Sequence, residues 1–319
     1  MSFAVLALIC AVALLGPLLS LPRFLRVPVV IGELVVGIVL GRTGFGVLDS
    51  TNETLAFMGD IGFALVMFVA GTHIPVRDDA MLAGLRRGAA RAVAVGVLAV
   101  PLGLGIASAF GTGHGWLYAV LIASSSATLV MPALGGVRVS SRAGLELLPQ
   151  IAIADAACIV ALPLVIDPAN AGRAALGVAA VAATSAAYFL FLNWVEKTGR
   201  RKVVHRLSER RQLALELRIV LLMLFGLAAI AVVTHVSVML AGFAMGLVVA
   251  AVGEPRRIAN QMLALTEGFF APVFFVWLGS SLDLRQLASH REAIGLGLAL
   301  GVAALVAHSR VEANIHKWV

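Results

Sequence analysis

The stretch "VPVVIGELVVGIVLG", residues 27–41, is apolar on every side of a helix except for one carboxylate, Glu33. A surface helix of a water-soluble domain carries a polar face, and this segment has none. Composition tells which solvent surrounds it. Hydrophobic residues make up 61% of the 319 positions and charged residues only 13%, with a mean hydropathy of +1.00. A soluble domain keeps about a quarter of its residues charged. This chain lacks the charge to cover a water-facing surface, so its surface faces lipid.

A membrane-spanning helix needs about 20 mostly apolar residues. Eleven runs meet that need: 2–21, 27–42, 55–73, 92–110, 116–134, 147–166, 174–195, 214–234, 236–252, 263–280 and 293–309. The expected fold is an all-α polytopic membrane protein with short loops and no sizeable soluble domain. The first run lacks the cationic start of a signal peptide and reads as a span. Seventeen Lys and Arg follow odd-numbered spans and four follow even-numbered ones. That asymmetry puts the N-terminus outside and the basic loops in the cytoplasm. The same scatter explains the net charge of +7 without a nucleic-acid partner. The longest basic loop, "EKTGRRKVVHRLSERRQ", reads as a solvated face near anionic lipid. Cys10 and Cys158 lie inside apolar runs and read as buried small hydrophobes.

The opening stretch has a counterpart. "VSVMLAGFAMGLVVA" (236–250) repeats it 209 residues on, and "LALTEGFFAPVFFVWLG" (263–279) repeats "LAFMGDIGFALVMFVAG" (55–71) at 208. Spans 2 and 3 then correspond to spans 9 and 10. A shift of seven spans is odd, so the two copies are inverted, an architecture common among secondary transporters. The expected organisation is a single transmembrane domain: 1–166 as the first repeat, 174–195 as a linker span and 214–319 as an incomplete second repeat.

Asp155, in "IAIADAACIVALP" (151–163), lies near the middle of the sixth run. An ionised carboxylate there costs several kcal/mol. It persists if paired, protonated, facing water or holding a cation; a protonated structural Asp bonded to a neighbouring helix is the plain alternative. The fifth run supplies Ser124, Ser125, Ser126 and Thr128, with Pro132 beyond. Hydroxyls that replace backbone bonds, followed by a residue without an N–H, allow a helix to break. Freed carbonyls and a carboxylate form a hard-oxygen site for an alkali cation. Tight packing through small residues is the plain alternative here. Glu33 reads as an interface residue, beside Gly37 and Gly41. Asp60 suits a water-filled vestibule, and Gln150 either a cavity mouth or a helix end.

Five motifs together resemble the monovalent cation:proton antiporter-2 family of sodium/proton antiporters and Kef-type potassium efflux systems. They are "RVPVVIGELVVGIVLGRTGFGVL" (26–48), "LVMFVAGTHIPV" (65–76), "ASSSATLVMPAL" (123–134), "IADAACIVALP" (153–163) and "FFAPVFFVWLGSSLDL" (269–284). The resemblance implies an elevator-like secondary transporter, normally a homodimer, in a bacterial inner membrane. One mobile bundle carries the ion site and a second forms the dimer contact. The family's essential aspartate sits on the sixth span beside a broken fifth, and Asp155 is the match, with Ser125, Ser126 and Thr128 on the fifth. That aspartate binds cation and proton in turn. No cofactor is expected beyond the transported Na+ or K+ and H+, and the chain carries no ATP-binding motif.

Two features depart from the family pattern. Many members place Asp, Asn or Gln just before the essential aspartate, where this chain has Ala154. One carboxylate trading one cation for one proton moves no net charge, so electroneutral exchange is expected. A rival alignment puts Ala156 at the essential position and implies a dead site. The inverted repeat also calls for thirteen spans where this sequence has eleven. A truncated, transport-inactive fragment, or a second chain supplying two further spans, is therefore the alternative expectation. His308 falls roughly where the family often has a lysine on the eleventh span; a helix-end histidine is the plain reading.

Overall fold

The computed structural model describes residues 3–14, 29–72, 79–124, 142–166, 171–199, 214–253 and 256–315. Every regular element among them is helical. With no water in the bilayer core, each span must satisfy its backbone internally, which a helix does. The helices are α1 (Phe3–Ala13), α2 (Val29–Leu40), α3 (Glu53–Thr72), α4 (Asp79–Ala109), α5 (Gly115–Ala123), α6 (Arg142–Ile166), α7 (Ala171–Lys197), α8 (Leu215–Val233), α9 (Val238–Val252), α10 (Arg256–Leu265), α11 (Ala271–Ser281), α12 (Leu284–Ser289) and α13 (Arg291–Ile315). A helix therefore lies at each of the eleven expected positions. Among the described residues six are long and apolar enough to cross a membrane, and others, such as Val29–Leu40 and Val238–Val252, are shorter. Leu222 and Leu305 are each 73% exposed, as apolar side chains are when lipid is the solvent. Cys10 is exposed too, which corrects the expectation of a buried thiol. In a bilayer an apolar residue gains nothing by leaving the lipid-facing surface.

The chain divides into two compact units, Met1–Arg77 with Arg173–Asp283 and Asp78–Gly172 with Leu284–Val319. The first is held by two close helix crossings. Where α2 meets α11, a side chain on Gly37 would strike the Val276 carbonyl and come within 2.9 Å of Gly279 Cα. Where α3 meets α9, a side chain on Gly246 would strike the Phe68 carbonyl and come within 2.9 Å of Gly71 Cα. Lipid tails are as apolar as leucine, so helices associate by close backbone packing, which small residues allow. Ile9, Val12, Leu48, Leu55, Val273 and Val276 form a buried cluster around the α11 side of this unit.

Preceding α11, residues Thr266–Phe270 form a π-turn, with the Ala271 N–H bonded to the Thr266 carbonyl. Pro272 lies at the start of α11. It has no N–H and its ring crowds the carbonyl four residues back. Widening the preceding turn relieves that crowding, which accounts for the π-turn. The connection after α2 is tied down at both ends. Trp277 Nε1 donates to the Ser50 carbonyl at 3.1 Å, and Thr43 Oγ1 donates to the Leu282 carbonyl at 2.6 Å. Asn52 Oδ1 accepts from Leu55 N at 3.2 Å, capping α3.

In the second unit α4 packs on α5, α6 and α13. Gly103 lets α4 approach the backbone of Gly115 and Ala119 on α5. Val95, Ala99, Ile122, Ala303, Ala307 and Val311 make its buried cluster.

Candidate functional site

Helix α5 stops at Ala123, although the apolar run continues to residue 134. Ser124 is extended (φ −65°, ψ 141°), and its N–H turns back to the Val120 carbonyl. Its Oγ donates to the Leu121 carbonyl at 2.7 Å. A serine that bonds its own last turn competes with helix continuation, so the first hydroxyl of the run is where the helix ends. Ser125, Ser126 and Thr128 lie outside the described residues.

Asp155 lies on α6, and its side chain is likewise outside the described set. Ile151 and Ile159, four residues to either side of it, are buried, as is its neighbour Ala154. Cys158 Sγ lies 3.6 Å from the Val120 carbonyl, tying α6 to the last full turn of α5. No role for this thiol was read from its residue type; its spacing of three from Asp155 is the one signal that could have pointed to it. Gln150 is 5% exposed, and its Oε1 is buried without a hydrogen-bond partner among the described residues. A buried amide oxygen left unpaired costs about 1–3 kcal/mol, so such an atom marks a place where a proton donor or cation is favoured.

The accessory candidates separate. Gln150 and His308 share the second unit with Asp155, whereas Glu33 and Asp60 belong to the first. His308 is half-buried, with Nδ1 2.9 Å from the Ala304 carbonyl of its own helix. Asp60 is exposed on α3. Glu33 is 4% exposed, on the helix that crosses α11.

Comparison with known proteins identifies the family and the fold. Residues 10–311 match the family model described as sodium/hydrogen exchanger, transmembrane. The Na(+)/H(+) antiporter NhaS5 of Synechocystis sp. is 30% identical over 97% of this chain and 45% of its own length. The K(+)/H(+) antiporter 1 of Saccharomyces cerevisiae is 24% identical over 92% of this chain and 37% of its own. The chain thus spans less than half the length of either relative. The sodium proton antiporter MjNhaP1 from Methanocaldococcus jannaschii, solved at pH 8, superposes with a TM-score of 0.64. That match covers 96% of this chain and 77% of the other, at 17% identity, and so speaks for the fold. An integral, multi-pass helical protein with a family match over nearly its whole length, this chain belongs to the transmembrane sodium/hydrogen exchanger family.

Proposed function

We propose that the chain exchanges a monovalent cation, Na+ or K+, for a proton at Asp155. The observation that carries this reading is the helix end at Ser124. Consecutive spans run antiparallel, so the step from Val120 to Ser124 and the step from Cys158 back to Asp155 go the same way. Starting from the Cys158–Val120 contact, Asp155 comes level with the break in α5. A carboxylate beside carbonyls released from a helix is a hard-oxygen site that either an alkali ion or a proton satisfies. The reading assigns Ser125, Ser126 and Thr128, which follow the helix end in the sequence, as further oxygen ligands; the unpaired Gln150 Oε1 lies on α6, five residues before Asp155. The antiporter names of the relatives support the same exchange.

Alternating access by an elevator movement is supported by the division into two compact units, with the Asp155 helix in one and the glycine crossings in the other. Ala154 beside a single carboxylate supports electroneutral exchange. The inverted-repeat organisation, with 1–166 against 214–319, is supported by the glycine contacts, which keep the 209- and 208-residue offsets of the sequence. A homodimer in a bacterial inner membrane, with basic loops cytoplasmic, completes the reading.

The test is cation-driven proton flux in everted vesicles, with Na+, K+ and Li+ offered separately. The comparison is between the chain and Asp155→Asn at equal membrane insertion. Flux that disappears in Asp155→Asn, and does not respond to a clamped membrane potential, is the expected result. Undiminished flux in Asp155→Asn would remove the residue from the mechanism. No flux from well-inserted protein would mean that these 319 residues do not transport by themselves.

A further inference from the structure

Two acids of the first unit lie inside membrane spans and are exposed there. Asp60 is on α3, and Glu267 is the second residue of the π-turn before α11. At the 208-residue offset of the repeat they fall on adjacent positions, with Gly59 opposite Glu267 and Asp60 opposite Gly268. The acid cannot stand at position 59, because a side chain there would meet the Trp277 ring at 2.7 Å. Beside Gly268, next to Glu267, there is open space.

The two acids enter the membrane from opposite faces. Gly59 lies against Trp277, and Gly62, further along α3, lies against Phe274, so α3 and α11 run antiparallel. Asp60 is seven residues into the span Glu53–Thr72, and Glu267 is seven into the span Asn260–Ser289. At about 1.5 Å per residue each lies about 10 Å inside its own face, within a hydrocarbon core ~30 Å thick. A short carboxyl does not reach the headgroups from there as a long basic side chain does.

Lipid is therefore a costly neighbour for either group. Another surface of this chain is no better, because its eleven apolar runs contain two Lys or Arg in all. These are Arg42 and Arg218, each within five residues of a run's end. Arg42, moreover, lies close enough to Asp49, in the connection after α2, to act on its charge. Water is the neighbour that remains, and an acid in contact with water draws cations.

We propose that Asp60 and Glu267 each line a water-filled recess in the surface of the first unit, the two recesses opening to opposite sides of the membrane, and that each gathers hydrated cations. With the basic loops cytoplasmic, the Asp60 recess opens outward and the Glu267 recess opens to the cytoplasm. For the exchange proposed at Asp155, they are where cations collect on either side; the recesses themselves do not depend on that exchange.

Thiol labelling of the full chain in right-side-out and everted vesicles tests this, in a background carrying Cys10→Ala and Cys158→Ala. Asp60→Cys is expected to react with a membrane-impermeant methanethiosulfonate from outside, and Glu267→Cys from the cytoplasmic side. Each should react at least about tenfold faster than Leu222→Cys, at a position 73% exposed to lipid, because the thiolate that reacts needs water. Charge is read at Phe57→Cys and Ala264→Cys, one turn before each acid and exposed like it. There a cationic reagent should outpace an anionic one. At low salt that ratio should fall about tenfold when Asp60→Asn or Glu267→Gln is added. The same two reporters carry the access test if the acid-to-cysteine variants insert poorly. Labelling no faster than at Leu222→Cys, or labelling of both recesses from one side, would overturn the proposal. A ratio unchanged by neutralising the acid would overturn the gathering of cations. None of these readouts needs transport, so the result is independent of the flux assay.

Discussion

The α2–α11 and α3–α9 crossings use the same device and differ at one residue. In each, two glycines meet so closely that a side chain on one would come 2.9 Å from the Cα of the other. The α3–α9 crossing continues that contact through Gly242, against Ala64. The α2–α11 crossing has Glu33 at the corresponding position, and its α11 carries Pro272 in the first turn after a π-turn. Glycine in a helix costs about 1 kcal/mol against alanine, and in lipid the close approach it permits more than offsets that cost. A buried carboxyl offers no such packing gain. Its presence in one crossing and not the other points to a purpose in the first that the second does not share.

Exchanging the differing residue should break the comparison most severely. Gly242→Glu forces a carboxyl against the Ala64 backbone, and a loss of more than ~3 kcal/mol is expected, seen as failure to recover monodisperse protein by size exclusion. Next come Gly37→Val and Gly246→Val, whose side chains would meet carbonyls that cannot move aside. Each should cost about 3 kcal/mol in thermal unfolding. If the two costs differ widely, the crossings are not equivalent. Glu33→Gly makes the crossings alike. It should cost about 1–2 kcal/mol in thermal unfolding through lost packing. Trp277→Phe removes the hydrogen bond to Ser50 that ties the connection between α2 and α3 to α11, for about 1 kcal/mol.

The smallest effect concerns Asp49, in the connection after α2. The Thr51 hydroxyl, and then its backbone N–H, hold the Asp49 carboxyl below the ordinary aspartate range. A lowered folded-state value gives stability that is present above the unfolded value and lost as pH falls through the folded one. Thr51→Val should therefore flatten the acid limb of a Tm–pH curve and leave its neutral region almost unchanged.

The glycines of the two crossings were legible in the sequence as a repeat, though not which helices they join, because contact at backbone distance leaves so few residue types. Gly37 with Gly246 and Gly71 with Gly279 keep their offsets even where most other residues have changed. Other features were not legible. A π-turn adds one residue to a turn inside an apolar run, and hydropathy does not register it. Pro272 was the only sign, and a proline at a helix start is equally ordinary. Cys10 reads as apolar whether it meets lipid or protein. The serine run announced that the fifth span could break, but the residue where the helix stops depended on Ser124 bonding its own last turn.

The sequence by itself determined that this is a multi-pass helical membrane protein, because a chain with so little charge has no other way to meet its solvent. It also determined the family, and it singled out Asp155, because a carboxylate in an apolar run is too costly to be incidental. Which helices share a unit was decided by the tertiary structure alone. Segments from both halves of the chain interleave in each unit, and helices that present apolar surfaces all round carry no pattern that names their neighbours. The same holds for Glu33. Its sequence shows an acid among glycines, and only the packing shows it buried on the helix that crosses α11.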